Sequence, residues 1–203
     1  RQSELDFAFM TATLFNFMVE TYPQDIICIH HLLVGGEALS PIASQHFFKA
    51  QAKRPSKLKS KLYNAYGPTE CTTFSLCHLL DETRLDEYRQ VGRVPIGVCI
   101  GRTKALVINQ NANIAMQGEV GELYLSGPSL AAGYINDALK SNQVFSPLPT
   151  QSQSVIDNRD LPKSVKPEAR VWYKTGDLAS LNTRNEVEYF GRIDDQVKIR
   201  GHR

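Results

Sequence analysis

The sequence is poor in several things, and each shortage removes a class of function. Its 203 residues include four cysteines, Cys28, Cys71, Cys77 and Cys99. None is spaced as CxxC, so neither a zinc site nor a disulfide framework is indicated and reduced thiols are expected. No apolar run approaches the roughly 20 residues that a membrane-spanning helix needs. The chain opens Arg1-Gln-Ser-Glu-Leu5 without a charged-then-apolar leader, so residence in the cytoplasm, off the membrane, is the expectation. The net charge of +2 is too small to argue for nucleic acid as a partner. No internal repeat is visible. What remains, 42% hydrophobic and 22% charged residues, is the profile of a globular protein able to bury one large core or two small ones.

Read in order, Leu5–Met10 suits a strand and Thr13–Glu20 has apolar residues at helical spacing. Asp25–Val34 is nearly continuous apolar sequence ending at Gly35-Gly36, as in a strand buried on both faces of a parallel sheet. Within it His30 and His31 read as packing or surface residues. Ser40-Pro41 supplies an N-cap and a first-turn proline for a helix through about Ala52. Lys53, Arg54, Lys57, Lys59 and Lys61 mark a solvated basic loop, Phe74–Leu80 another strand, and the charged residues through Gln90 a loop. Beyond Gly92 short strands alternate with turn residues: 104–108, 121–125, 170–173, 177–181, 186–190 and 196–199. That pattern predicts a small β-barrel or sandwich. A helix is expected at 136–144, and a surface loop or insertion over 146–166.

The stretch Tyr63-Asn-Ala-Tyr-Gly-Pro-Thr-Glu70 stands apart. Aromatic, strand-favouring residues run into a Gly67-Pro68 break, and Thr69, Glu70, Thr72 and Thr73 follow. Hydroxyls and a carboxylate are thereby crowded at the carboxyl end of a strand, where open α/β sheets bind ligands. An aromatic ring, a hydroxyl and a carboxylate suit a base, a phosphate and a hard metal ion.

Three further stretches follow in order: Gly121-Glu-Leu-Tyr-Leu-Ser-Gly-Pro-Ser-Leu-Ala-Ala-Gly-Tyr134, Tyr173-Lys-Thr-Gly-Asp-Leu178, and Gly191-Arg-Ile-Asp-Asp-Gln-Val-Lys-Ile-Arg-Gly-His-Arg203. Together with the first, the set resembles the adenylation domain of nonribosomal peptide synthetases, from about Leu32 to the last residue. The wider adenylate-forming family includes acyl-CoA ligases and luciferases. The Asn-Ala before Tyr66 and the closing Lys-Ile-Arg-Gly-His-Arg look most like the amino-acid-activating branch.

The resemblance implies an α/β fold: residues 1–91 as the second part of a βα-layered subdomain, 92–192 as a β-barrel-like subdomain, and 193–203 as the hinge and the start of a small C-terminal domain. It implies ATP/AMP and Mg²⁺ as cofactors. Tyr66 would lie on the adenine, with the backbone of Gly35, Gly36 and Glu37 on its other side, and Asn64 would meet the adenine amino edge. Thr69 would bond the α-phosphate, Glu70 would bind Mg²⁺, and Asp177 would take both ribose hydroxyls. Tyr189 and Arg192 would flank ribose and phosphate, Arg192 offsetting charge as pyrophosphate leaves, and Asp194 would be the hinge.

The family's acid pocket maps to Phe9, Leu33, Gly35, Ala65, Thr73 and Phe74, none charged, which implies a branched aliphatic amino acid, isoleucine or valine ahead of leucine. The aspartate that would hold the substrate's α-amino group is expected upstream of Arg1, so a keto or hydroxy acid of the same shape is a further possibility. The partners implied are a downstream carrier protein with its phosphopantetheine arm and the rest of a synthetase. The family's phosphate loop and C-terminal lysine have no counterpart in these residues, so the chain resembles a fragment expected to be inactive alone. Two alternatives stand beside this reading: an acyl-CoA ligase or other adenylate-forming relative, and a noncatalytic nucleotide-binding fragment.

Overall fold

The computed structural model describes residues 5–152 and 171–194. The chain divides into two compact units, one containing the residues up to Tyr66 together with Cys77–Gly97, the other Gly67–Leu76 and Val98–Asp195. The strand expected at 196–199 and the closing Lys-Ile-Arg-Gly-His-Arg lie outside the described residues, as does most of 146–166.

The first unit is α/β. Strands β1 (Leu5–Thr11), β2 (Ile29–Gly35), β3 (Lys61–Tyr66) and β4 (Leu76–Leu79) lie in that order, and β1, β2 and β3 are parallel. Helices α1 (Ala12–Thr21), α2 (Pro23–Ile26), α3 (Pro41–Ala50) and α4 (Leu85–Val91) cover one face. Thr11 caps α1 by accepting the Leu14 N–H at 3.3 Å, and Ser40 caps α3 by accepting the Ala43 N–H at 3.2 Å. Between helices and sheet Phe15, Phe47, Leu32, Val34 and Leu62 are fully buried. Each such side chain contributes about 1.5–3 kcal/mol by leaving water.

Two readings of this half change. The apolar run 25–34 is not all strand: Pro23 starts a one-turn helix, Ile26 and Ile27 are buried in the helical layer, and the strand begins only at Ile29. A short apolar run carries no periodicity that separates the two. The charged residues 82–90 are not a loop. They form a 3₁₀ turn, capped when Asp81 accepts from Thr83, and then α4, which buries Leu85 and Tyr88 one turn apart and ends at Gly92 with φ of +75°.

The second unit is strand-rich, as the turn signals predicted. It contains the short β5 (Val98–Cys99), then β6 (Lys104–Ile108), β7 (Gly121–Ser126), α5 (Ala138–Val144), β8 (Phe145–Ser146), β9 (Trp172–Leu181) and β10 (Val187–Arg192). Antiparallel pairing gives the order β10-β9-β7-β6, with β8 on β9. Ile108, Tyr124, Leu148 and Trp172 form a core cluster. Of the two strands expected here, 170–173 and 177–181, residues 172–173 and 177–181 belong to the single β9, which runs through Gly176 at φ of +69°. A glycine inside a strand reads as a turn unless the pairing carries across it.

Candidate functional site

In the α/β unit the strand register brings distant residues side by side. Phe9 pairs with Leu33 and Thr11 with Gly35 across β1 and β2, while Leu33 pairs with Tyr63 and Gly35 with Ala65 across β2 and β3. Side chains alternate along a strand, so Phe9, Leu33, Gly35 and Ala65 share the sheet face opposite Leu32, Val34 and Leu62, which meet the helices. Four of the six acid-pocket positions therefore lie on adjacent strands of one face. Phe9 is 47% exposed there and Leu33 is buried. On the same face His31 Nδ1 and the Tyr63 hydroxyl are 3.0 Å apart with their rings stacked, so half-buried His31 is a packing residue with one specific polar contact. Burial, with Cys77 close by, pushes the Tyr63 hydroxyl above its ordinary pKa.

The turn after β2 is set by Gly36, whose φ of +86° disfavours any side chain even though the space around it is open. Glu37 accepts a hydrogen bond from the Thr13 hydroxyl at 2.7 Å, which ties this turn to the start of α1. Asn64 points to the helix-packed face. It is 3% exposed, and its amide donates to the carbonyls of Pro95 at 2.8 Å and Val94 at 3.3 Å. Tyr66 ends β3, half-buried.

The loop that opens the second unit is wound tightly. A Cβ on Gly67 would stand 2.3 Å from the Thr73 carbonyl oxygen, so only glycine lets the chain fold back here. Thr72 and Thr73 both adopt left-handed backbone, at φ of 53° and 70°, which for β-branched residues costs on the order of 1–3 kcal/mol each. Thr72 is secured by donating its hydroxyl to the Ser129 carbonyl at 2.8 Å. Thr69 and Thr73 are exposed, Phe74 is half-buried, and Glu70 is only 6% exposed. Glu70 Oε1 accepts the Tyr134 hydroxyl at 2.6 Å, and its carbonyl accepts the Ala131 N–H at 2.8 Å. Burial pushes the neighbouring Cys71 thiol up to about 12. Tyr134 closes the second of the four motifs, yet its spacing from Glu70 gives no sign that the two meet.

The third cluster is made by two irregularities in the sheet. Between Glu122 and Tyr124, β7 advances two residues while β9 advances four, from Leu178 back to Lys174, so Thr175, Gly176 and Asp177 bulge. The bulge is hydrogen-bonded from within: the Thr175 hydroxyl donates to Leu123 O at 2.7 Å, the Asp177 N–H to Thr175 Oγ1 at 3.0 Å, and the Gly176 N–H to Glu122 Oε1 at 3.0 Å. Burial raises the pKa of the Glu122 carboxyl. On β10 an extra residue between Tyr189 and Arg192 sets Arg192 opposite Asp177.

Asp177 is 8% exposed, and its Oδ1 accepts from Arg192 Nη1 at 3.0 Å. The same guanidinium also donates to the Thr175 carbonyl at 3.0 Å and grips Asp194 through Nε at 2.6 Å and Nη2 at 3.0 Å. The Asp194 bonds chiefly, and then Asp177, hold Arg192 above even the usual arginine range. Tyr189, half-buried, has its hydroxyl pKa raised by burial and by the Asp177 charge. Of the residues expected around the ribose and phosphate, Asp177 and Arg192 are thus directly linked, and Arg192 also holds Asp194, the expected hinge. Among the described residues no group of three or more acidic, histidine or cysteine side chains could by itself enclose a metal, and no helix is long and apolar enough to cross a membrane.

Comparison with known proteins bears on the same residues. The family model described as AMP-binding enzyme matches residues 1–135. A plipastatin synthase of Bacillus subtilis (strain 168) is 36% identical over 195 residues, and tyrocidine synthase 3 of Brevibacillus parabrevis is 33% identical over 203. These alignments cover 96% and 100% of this chain but only 6% and 3% of the two relatives.

Among solved structures, holo-PA1221, an NRPS protein containing adenylation and PCP domains, superposes with a TM-score of 0.78 at 31% identity, over 97% of this chain and 30% of that one. The fused di-domain NpsA-ThdA of Klebsiella oxytoca, at 22% identity and a TM-score of 0.80, has the same fold. The chain belongs to the AMP-binding enzyme family, in the branch formed by the adenylation domains of nonribosomal peptide synthetases.

Proposed function

We propose that this chain is part of an ATP-dependent ligase that joins the carboxylate of an amino acid to the α-phosphorus of ATP, expelling pyrophosphate, and then passes the aminoacyl group from the adenylate to the phosphopantetheine thiol of a downstream carrier protein, releasing AMP. The observation that carries the reading is the Asp177–Arg192–Asp194 chain at 2.6–3.0 Å, built by two sheet bulges. A carboxylate buried in this way is oriented to accept from a vicinal diol, and the arginine beside it supplies fixed positive charge for a departing phosphate. Pyrophosphate exchange by the whole adenylation domain tests it: Asp177→Ala and Arg192→Ala should each depress exchange at least tenfold, and wild-type exchange in either would overturn the reading.

The remaining roles are carried over from the family resemblance. In the α/β unit, Tyr66 is assigned to the adenine, with Gly35, Gly36 and Glu37 as the backbone on its other face. Asn64 has its amide nitrogen committed to two carbonyls, so its Oδ1 is the atom assigned to the adenine amino group. In the second unit, Thr69 is assigned to the α-phosphate, Tyr189 to the ribose side, and Asp194 to the hinge, with 193–203 leading into a further domain.

Glu70 fits Mg²⁺. It offers a hard carboxylate oxygen held by a phenolic hydrogen bond, suited to an ion that shares its coordination with water and substrate phosphates. When bound, Mg²⁺ supplies charge neutralisation on those phosphates.

The substrate is proposed from the uncharged row Phe9, Leu33, Gly35 and Ala65, to which the family resemblance adds Thr73 and Phe74. A charged side chain would lose its hydration there without gaining a partner. A branched aliphatic amino acid is expected, with isoleucine, valine and leucine poorly separated because one methylene is worth about 1–3 kcal/mol. Exchange with every proteinogenic amino acid and with keto analogues tests this, and preference for a charged or large aromatic side chain would sink it.

A further inference from the structure

We infer that Tyr134 is a positioning residue for Glu70, holding its carboxylate in the orientation that metal–nucleotide binding requires; this rests on the assignment of Glu70 to the metal. The phenolic hydroxyl donates to Glu70 Oε1 at 2.6 Å, a short, charge-assisted bond across 64 residues of sequence. It does not act alone. The loop that ends at Tyr134 is laced to the Glu70 turn at two more points, Ala131 N–H to Glu70 O at 2.8 Å and Thr72 Oγ1 to Ser129 O at 2.8 Å.

Tyr134 is itself held in place. Its N–H donates to Ser141 Oγ at 2.7 Å, its ring meets Phe145 edge-on at 5.9 Å, and Lys140 Nζ lies 4.8 Å above the ring. A glutamate side chain has three rotatable bonds, and in one only 6% exposed a short hydrogen bond to Oε1 favours the rotamers that keep it. Tyr134→Phe removes the hydroxyl's bond to Glu70 and keeps the ring that meets Phe145 and Lys140.

The test uses the whole adenylation domain and Mn²⁺ as a paramagnetic stand-in for Mg²⁺, with binding read by electron paramagnetic resonance in the presence of a non-hydrolysable ATP analogue. Tyr134→Phe should weaken Mn²⁺ binding about tenfold or more, as expected for one hydrogen bond to a charged group, while affinity for the analogue at saturating metal stays within about twofold. Glu70→Gln should weaken Mn²⁺ binding further, and adding Tyr134→Phe to it should change nothing more. A general loss of fold would instead lower binding in both backgrounds and overturn the inference. Unchanged Mn²⁺ binding in Tyr134→Phe beside a clear loss in Glu70→Gln would remove Tyr134 and leave the metal assignment standing. Unchanged binding in Glu70→Gln would remove the assignment of Glu70, and the role of Tyr134 with it.

Discussion

Asp177 is the residue on which most can be staked. Replacing it by alanine in the whole adenylation domain should weaken ATP binding by about tenfold or more, since each charge-assisted hydrogen bond is worth about 1.5–3 kcal/mol. Arg192 stays tethered to Asp194 in that variant, so the fold should survive, and equilibrium titration with ATP reads the loss directly. Cys71 gives a prediction in pH. Its thiol, ordinarily at 9.0, is raised to about 12 by burial, so the folded state favours the neutral form. The associated stability is complete below pH 9 and is lost as pH rises from 9 towards 12, at up to about 1.4 kcal/mol per pH unit. Urea unfolding across that window should show a steeper decline for wild type than for Cys71→Ala; parallel curves would mean that the thiol is not shielded as described.

At the level of elements, the two glycines that matter act differently. A Cβ on Gly67 meets backbone 2.3 Å away, which cannot yield without moving the loop, so Gly67→Ala should cost about 2 kcal/mol or more in chemical denaturation. Gly176 combines φ of +69° with a Cβ position 2.7 Å from Arg192 Nη2. Gly176→Ala should therefore displace the guanidinium and weaken ATP binding in the whole domain nearly as much as Asp177→Ala does. Retained ATP affinity with wild-type stability would show that the β9 bulge does not set the geometry of Asp177.

The bulges also mark where local sequence stops being informative. Strand content around Gly176 is readable from aromatic and β-branched residues, but a glycine there reads as a break. Only the pairing with β7 shows that the strand continues and that Thr175, Gly176 and Asp177 loop out of it. Likewise α4 presents just Leu85 and Tyr88 to the core, too few apolar positions to give a helical period amid charge.

For the molecule as a whole, the 203 residues span 30% of a structural neighbour that contains adenylation and PCP domains. Expressed by themselves they should support no pyrophosphate exchange above an Asp177→Ala control, whereas the whole domain should; exchange by the short chain would relocate the essential groups into it. The sequence alone determined the α/β character of the first half, the strand-rich second half, the helix cap at Ser40, and the four motifs. Those depend on local preferences, on alternation, and on residue types whose chemistry survives in one dimension. Tertiary structure alone decided that Phe9 stands beside Leu33, that Arg192 reaches Asp177 and Asp194 together, that the Asn64 amide is spent on two carbonyls, and that Tyr134 holds Glu70. Each of these is a contact between residues far apart in the chain or set by a bulge. Such contacts follow from register and packing over the whole sheet, which no window of sequence contains.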